Sequence, residues 1–214
     1  MPGRIYDATW GRIFAACYDR FLAPTEEAGL RAARSGLLAG ASGRTIDLGA
    51  GTGLNLEHYP DAVSELILAE PDPHMIRRLR ARVAESGRPA KIVQAGAEQL
   101  PFDEDSFDTA VFTLVLCTVP DHAAALAETA RVLRPGGRML FLEHVRSPET
   151  GLARWQDRLH GAWKLFGDGC NCNRDTLAAI EASPLEVESV ERGEIPKAVP
   201  LVKPRILGSA AVPR

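Results

Sequence analysis

Three glycines at alternate positions follow a short apolar run in Asp47-Leu48-Gly49-Ala50-Gly51-Thr52-Gly53. Glycine at 49, 51 and 53 lets the backbone turn sharply and lets a ligand approach main-chain N–H groups, as in a nucleotide loop at the carboxyl end of a strand. A dinucleotide fingerprint needs another glycine at its sixth position, where Leu54 stands, and no Walker lysine follows, so a pyrophosphate ligand is disfavoured. Glu70 ends the second apolar run, 21 residues after Gly49. A carboxylate there accepts hydrogen bonds from both ribose hydroxyls and would repel a 2′-phosphate. Gly96-Ala97-Glu98 ends the third run and can hold an adenine edge between Ala97 and Met75. In this order the features point to a non-phosphorylated nucleoside. Asp47 adds a buried acid able to orient the loop or receive an ammonium group, which directs the expectation to S-adenosylmethionine.

The composition suits a small-molecule partner. Of 214 residues, 45% are hydrophobic and 25% charged, which excludes a disordered or fibrous chain. A formal charge of −3 offers no basic footprint for nucleic acid. The cysteines stand at 17, 117, 170 and 172; the close pair is Cys-Asn-Cys, which is not metal-ligand spacing, so ordinary thiols and no metal are expected. No apolar run approaches the roughly 20 residues of a membrane span, and Asp19 and Arg20 interrupt the best N-terminal candidate, Ile13 to Leu22. A cytoplasmic protein, monomeric or homodimeric, is expected.

Aliphatic runs at 45–48, 66–69, 91–94, 109–112 and 139–142 alternate with helical patterns, which predicts an α/β fold with a parallel sheet covered on both faces. Asp72-Pro73 predicts a helix start and Gly87 its end; Asp121 opens another helix, with Leu126, Ala130 and Leu133 on one face, Arg131 and Arg134 in its last turn, and Pro135-Gly136-Gly137 as its stop. Residues 1–40 read as helical, with Tyr6, Trp10, Ile13, Phe14, Tyr18 and Phe21 at helical spacing. Beyond His144, helices are expected at 151–166 and 175–182 and strands near 185–190 and 205–211, joined by a proline-stiffened loop from Gly193 to Pro204.

The stretch from Thr45 to His144, with its Leu100-Pro101-Phe102 turn and Leu133-Arg134-Pro135-Gly136-Gly137 exit, resembles the class I methyltransferase family. Within it, Thr113-Leu114-Val115-Leu116-Cys117, Glu143-His144-Val145, the segment from Trp155-Gln156 through Ala162-Trp163 to Asp168-Gly169-Cys170-Asn171 and Arg174, and Leu201-Val202-Lys203-Pro204 are similar to the alkyl-thiol S-methyltransferases of animals. The resemblance implies a Rossmann-like, mostly parallel seven-stranded sheet in a single domain over 1–214. Residues 1–40 would form an N-terminal helical cap, 44–144 the cofactor core, and 145–214 the substrate-side helices and last strands. It also implies that Tyr18, Ala50, Asn55, Pro71, Thr113 and Leu114 join the glycine loop, Glu70, Met75 and Gly96 to Glu98 around S-adenosylmethionine, with S-adenosylhomocysteine as product. The front of the chain departs from the pattern. The animal enzymes carry an apolar anchor there, whereas this amphipathic segment is more like the ubiquinone and menaquinone C-methyltransferases, so membrane residence is not implied.

A sulfonium methyl is already activated, so the protein must align a nucleophile with it and exclude water. The expected acceptor is a small lipophilic thiol or dithiol. The alternatives are C-methylation of a quinone precursor, N-methylation of a phospholipid headgroup, or an accessory protein that binds cofactor without turnover. The carboxyl-end rule places Cys117 and His144 near the reacting centre. His144 is the first candidate to take the thiol proton or hold the thiolate, and Asp168 the second. Trp163 and Phe166, with Trp155, are expected either to wall the substrate chamber or to pack α-helix on core.

Overall fold

The computed structural model describes the backbone of residues 4–214 and the side chains from Trp10 onward, so Tyr6 of the expected aromatic stripe lies outside the described side chains. Each apolar run forms a strand: β1 (Gly43–Leu48), β2 (Val63–Ala69), β3 (Lys91–Val93), β4 (Phe107–Thr113) and β5 (Leu133–His144). The chain adds β6 (Glu186–Glu194) and β7 (Pro204–Ala211) to complete a seven-stranded sheet in the order β3-β2-β1-β4-β5-β7-β6. The first five strands pair in parallel, and β7 runs antiparallel to both β5 and β6.

The helices are α1 (Arg4–Thr25), α2 (Arg31–Leu38), α3 (Pro73–Ser86), α4 (His122–Val132), α5 (Thr150–Phe166) and α6 (Thr176–Glu181). Successive strand side chains point to opposite faces, so one set of strands feeds two cores. On one face Ile46, Leu48, Ile67, Phe112 and Phe141 meet Leu126 of α4 and Ile180 of α6. On the other, Leu66, Leu68, Val111, Leu140 and Leu142 meet Leu30, Leu37 and Leu38 around α2 and Leu79 of α3. Burial on both faces is why the central strands read as continuous apolar runs rather than as alternation.

The caps follow side-chain chemistry. Asp72 accepts from the backbone N–H groups of His74 and Met75 at 2.5 and 3.2 Å, Pro73 takes the first helical position, and Gly87 ends α3 with φ +67°. Asp121 caps α4 by accepting from the Ala124 N–H at 3.0 Å. The expected extent of α4 is corrected at its far end: the helix stops at Val132, and Leu133 and Arg134 belong to β5. Pro135 disfavours helical backbone at Arg134, and Leu133 gains complete burial by pairing with Phe107. The N-terminal stretch is helical as expected, with a turn of wider helix over Glu26–Leu30 in which Gly29 takes φ +139° and redirects the chain from α1 into α2. Among the described residues, no helix is long and apolar enough to cross a membrane.

β1 lies between β2 and β4, so the crossovers leave it in opposite directions. The crevice at the carboxyl ends of these strands is where open α/β sheets take ligands. Farther out, Gly208 of β7 sits so close to its neighbours that an added Cβ would meet the Ser189 carbonyl oxygen at 2.0 Å and the Phe141 ring at 2.9 Å. Gly208→Ala is therefore expected to cost roughly 1–3 kcal/mol, read as a lower denaturant midpoint; an unchanged midpoint would show that β6 can slide away from β7 freely.

Candidate active site at the carboxyl edge of the sheet

The glycine loop follows β1 as expected, but its glycines serve different ends. All three take positive φ, +66° at Gly49, +56° at Gly51 and +89° at Gly53. A Cβ on Gly49 would strike Val115 at 2.5 Å, and one on Gly53 would strike Leu79 at 2.8 Å, so these two allow close packing against β4's exit and α3. At Gly51 an added Cβ would meet nothing nearer than 3.9 Å and would project into open space. Gly51 thus leaves room for a ligand to approach its backbone. Gly53, expected at the cofactor, instead lets the loop lie on α3.

Glu70 holds this loop in place. Its Oε2 accepts from the Gly51 N–H at 2.8 Å and its Oε1 from the Asp72 N–H at 2.9 Å. A carboxylate has about four acceptor positions, so two remain for a ribose diol. Glu70 is 6% exposed, and burial raises its pKa to about 7 despite those two bonds.

A cavity of about 740 Å³ opens over the loop, and its lining includes Gly51, Glu70, Pro71, Met75, Gly96, Ala97, Glu98 and Leu114, the expected nucleoside contacts. The same cavity is lined by Cys117, His144, Trp163, Phe166 and Asp168, the expected substrate-side residues. A small polar recess lined by Tyr18, Arg34, Ala50, Asn55 and Thr113 joins the cavity at Gly49 and Gly51.

Asp47 lines neither space, which corrects its assignment as a direct cofactor ligand. It is completely buried, and the Asn55 amide donates to both of its oxygens at 3.1 and 2.9 Å. Burial raises its pKa to about 6. Asp47 acts through Asn55, whose amide also lies 2.9 Å from the Thr113 hydroxyl and whose carbonyl accepts from Arg34 at 2.5 Å.

Arg34 was not singled out by the sequence reading. It is 3% exposed, paired with Glu26 at 2.7 Å, and its Nε is buried without a partner. The available signal was a cation four residues after Leu30, on the same helical stripe as Leu37 and Leu38. Glu143 was missed as well. It is fully buried at the end of β5, and its Oε1 accepts from the N–H groups of Val115 and Leu116 at 2.9 and 3.0 Å, which fixes the turn carrying Cys117.

The N-terminal helix roofs the cavity. Trp10, Ile13, Phe14, Tyr18 and Phe21 all line it. Phe166 closes against this roof, with ring centroids 6.0 Å from those of Trp10, Phe21 and Trp163. Asp19 anchors α1 through the Thr52 hydroxyl at 2.5 Å and Arg82 at 2.6 Å. Trp155, in contrast, is 56% exposed and does not line the chamber. It stacks under Arg158 on the outer face of α5.

Three residues distant in sequence converge on the chamber floor. His144 Nε2 lies 3.0 Å from Cys170 Sγ, and the ligating atoms of Cys117, His144 and Cys170 all fall within 4.8 Å of one another. The Trp163 indole N–H donates to Cys170 Sγ at 3.2 Å. The Cys170 hydrogen bond and burial push the Cys117 thiol well above its ordinary pKa. Cys172 turns away, its thiol donating to the Gln156 carbonyl. Asp168 reaches the chamber from a turn in which it takes φ +49°.

A family described as methyltransferase domain matches residues 46–141. Over 179 residues the chain is 36% identical to the thiol S-methyltransferase TMT1B of Homo sapiens, an alignment covering 81% of this chain and 73% of that protein. It is 37% identical to the ubiquinone/menaquinone biosynthesis C-methyltransferase UbiE of Marinomonas, over 71% of this chain and 63% of that one. The fold superposes on the YcgJ protein of Bacillus subtilis with a TM-score of 0.67 at 19% identity, covering 85% of this chain and 98% of the other.

The geometry at Glu70 generates a pH dependence. A ribose diol held at Glu70, as the sequence predicts, would donate to the carboxylate, whereas the ligand-free group carries a proton below about pH 7, its pKa pushed upward by burial first and then by Asp72 and Asp47. Binding must then release that proton, so S-adenosylhomocysteine affinity should fall as pH drops below about 7, approaching tenfold per unit. Calorimetry should show this slope in the natural protein and its absence in Glu70→Gln; a flat profile in both removes Glu70 from the ribose.

Proposed function

Because the chain belongs to the S-adenosylmethionine-dependent methyltransferase family, we propose that it transfers the cofactor's methyl group to the sulfur of a small lipophilic thiol. The observation that carries this reading is the chamber: one apolar cavity of about 740 Å³ runs from the ribose carboxylate Glu70 to the Cys117–His144–Cys170 floor, with aromatic walls between. Its size falls within the usual range for a site that buries small ligands, and its lining is mainly apolar with few convergent polar groups.

In this reading the adenosine lies along Glu70, Met75 and Ala97, and the methionine end enters the polar recess. There Arg34, with its unpartnered Nε, attracts the carboxylate, and Asn55 and Thr113 offer hydrogen bonds. The bound cofactor supplies an activated methyl. The chain's own work is to hold the acceptor sulfur in line with it and to keep water out. His144 and Cys117 mark the sulfur position, Trp163 and Phe166 wall the acceptor's apolar body, and Asp168, which also lines the chamber, is the second candidate proton acceptor. A thiol acceptor suits a wall this apolar, because sulfur needs little polar solvation and a few per cent of a simple thiol is already thiolate at neutral pH.

Incubation with methyl-labelled cofactor and a panel of aliphatic thiols, phenols, quinols and amines tests the assignment. Labelled thioethers should form with lipophilic thiols, with one S-adenosylhomocysteine released per product. Faster turnover of quinols would move the chain to C-methylation, and of amines to N-methylation. His144→Ala should lower turnover by at least about tenfold, equivalent to about 1.4 kcal/mol of barrier, while leaving cofactor affinity within a factor of about two. An unchanged rate would return His144 to a packing role.

A further inference from the structure

The convergence of Cys117, His144 and Cys170 has the make-up of a metal site. We propose that these three side chains bind one zinc ion, and that the ion's fourth position, open to the chamber, takes the substrate thiolate. The second half of this proposal rests on the thiol reading above; the first half does not.

The donor set is two thiols and one imidazole, a combination suited to zinc and other borderline or soft divalent ions. The ligating atoms lie within 4.8 Å of one another, and His144 Nε2 is already 3.0 Å from Cys170 Sγ. Zinc–sulfur bonds of about 2.3 Å and zinc–nitrogen bonds of about 2.0 Å in a tetrahedron need separations between these limits. The three residues come from separate elements, the turn after β4, the end of β5 and the turn after α5, and the fold locks those elements together. The Asn171 backbone N–H and side-chain amide both donate to the Cys117 carbonyl at 2.8 Å, which fixes the two cysteine segments to each other. Glu143 fixes the Cys117 turn from beneath. The Trp163 N–H···S contact orients Cys170 from outside the cluster, as outer hydrogen bonds orient metal ligands. On the imidazole, Nδ1 is buried without a partner, so Nε2 is the engaged nitrogen.

Charge also favours the assignment. Two thiolates and a divalent cation sum to zero, which allows the cluster to form in an apolar chamber, where an uncompensated ion would be costly. Three protein ligands with one open position is the pattern of catalytic rather than structural zinc. All three residues line the chamber shared with Gly49, Gly51 and Glu70, so the open position faces the space where the cofactor and acceptor meet. A thiol entering there gives its proton to solvent and binds through sulfur. Its lone pair then forms the new bond to the methyl carbon, and the methyl–sulfonium bond breaks with its electron pair passing to the cofactor's sulfur. Neutral thioether and S-adenosylhomocysteine result, and the weakly donating thioether leaves the ion.

The experiment uses the reduced, full-length protein under anaerobic conditions, titrated with Co²⁺ as a spectroscopic probe. One equivalent should bind, with near-ultraviolet sulfur-to-cobalt charge-transfer bands and intense visible bands of tetrahedral cobalt, and one equivalent of Zn²⁺ should abolish them. Cys117→Ser and Cys170→Ser should each weaken binding by at least about 100-fold, whereas Cys172→Ser, whose thiol lies outside the cluster, should match the natural protein. Adding an alkanethiol should strengthen the charge-transfer bands by one further thiolate. Absence of tetrahedral bands, or bands that persist in Cys117→Ser, overturns the site. Cobalt binding without a response to alkanethiol overturns the open position. The two readings separate in the thiol assay: full thiol turnover by chelator-treated protein refutes the zinc role and leaves S-methylation standing, whereas metal binding with no thiol turnover leaves the metal site standing and refutes S-methylation together with the substrate-thiolate position.

Discussion

A buried chain of polar side chains, Glu26–Arg34–Asn55–Asp47 with Thr113 at its side, ties together the parts of the molecule that must agree for a cofactor to bind. Each member is 8% exposed or less, and every link is a hydrogen bond of 2.5 to 3.1 Å. Burying ions is costly unless each finds partners, and here one guanidinium serves Glu26 directly and Asp47 through the Asn55 amide, which both donates and accepts. The chain joins the segment after α1, helix α2, strand β1, the glycine loop and the end of β4. It sets the polar recess at the depth where the methionine end of the cofactor is expected, and the unpartnered Arg34 Nε marks a hydrogen bond still to be made.

Outside that network the site is built by packing. Gly49 and Gly53 bring the loop against Val115 and Leu79, whereas a Cβ on Gly51 would meet nothing nearer than 3.9 Å. Glu70 then serves two purposes with one carboxylate: it holds the loop through the Gly51 N–H and keeps acceptor capacity for a ligand. The roof rests on few polar anchors. Asp19 bonds to Thr52 and Arg82, and aromatic contacts across the chamber mouth centre on Phe166. Half of Phe166 is exposed, so part of the apolar wall meets solvent.

The superposition on distant structures speaks to the scaffold alone, because one sheet architecture hosts many chemistries. The floor of the chamber carries side chains that could do chemistry. Cys117 and His144 project from the carboxyl ends of neighbouring strands, which the parallel-sheet rule anticipates. Cys170 arrives from the turn after α5, where Gly169 takes φ +93° and the Trp163 indole N–H donates to the sulfur.

Much of this was legible in the chain because it depends on local chemistry. Buried parallel strands read as continuous apolar runs, Asp72-Pro73 and Asp121 mark helix starts through their own side chains, and Gly51 and Glu70 occupy fixed places at strand ends. The limits of that reading are equally physical. The end of α4 depended on a long-range pairing of Leu133 with Phe107, which no local pattern contains. The place of Asp47 beside the loop is local information that allows either orienting the loop or receiving an ammonium group, whereas its capture by Asn55 is decided by three-dimensional packing. Arg34 and Glu143 look like ordinary surface charges until tertiary contacts bury them. Metal-ligand rules rely on close spacing in sequence, so they pass over Cys117, His144 and Cys170, which lie 27 and 26 residues apart in the chain. Only the sheet, by laying β4 beside β5 and returning the chain after α5 to their carboxyl ends, brings those three side chains within bonding reach of one another.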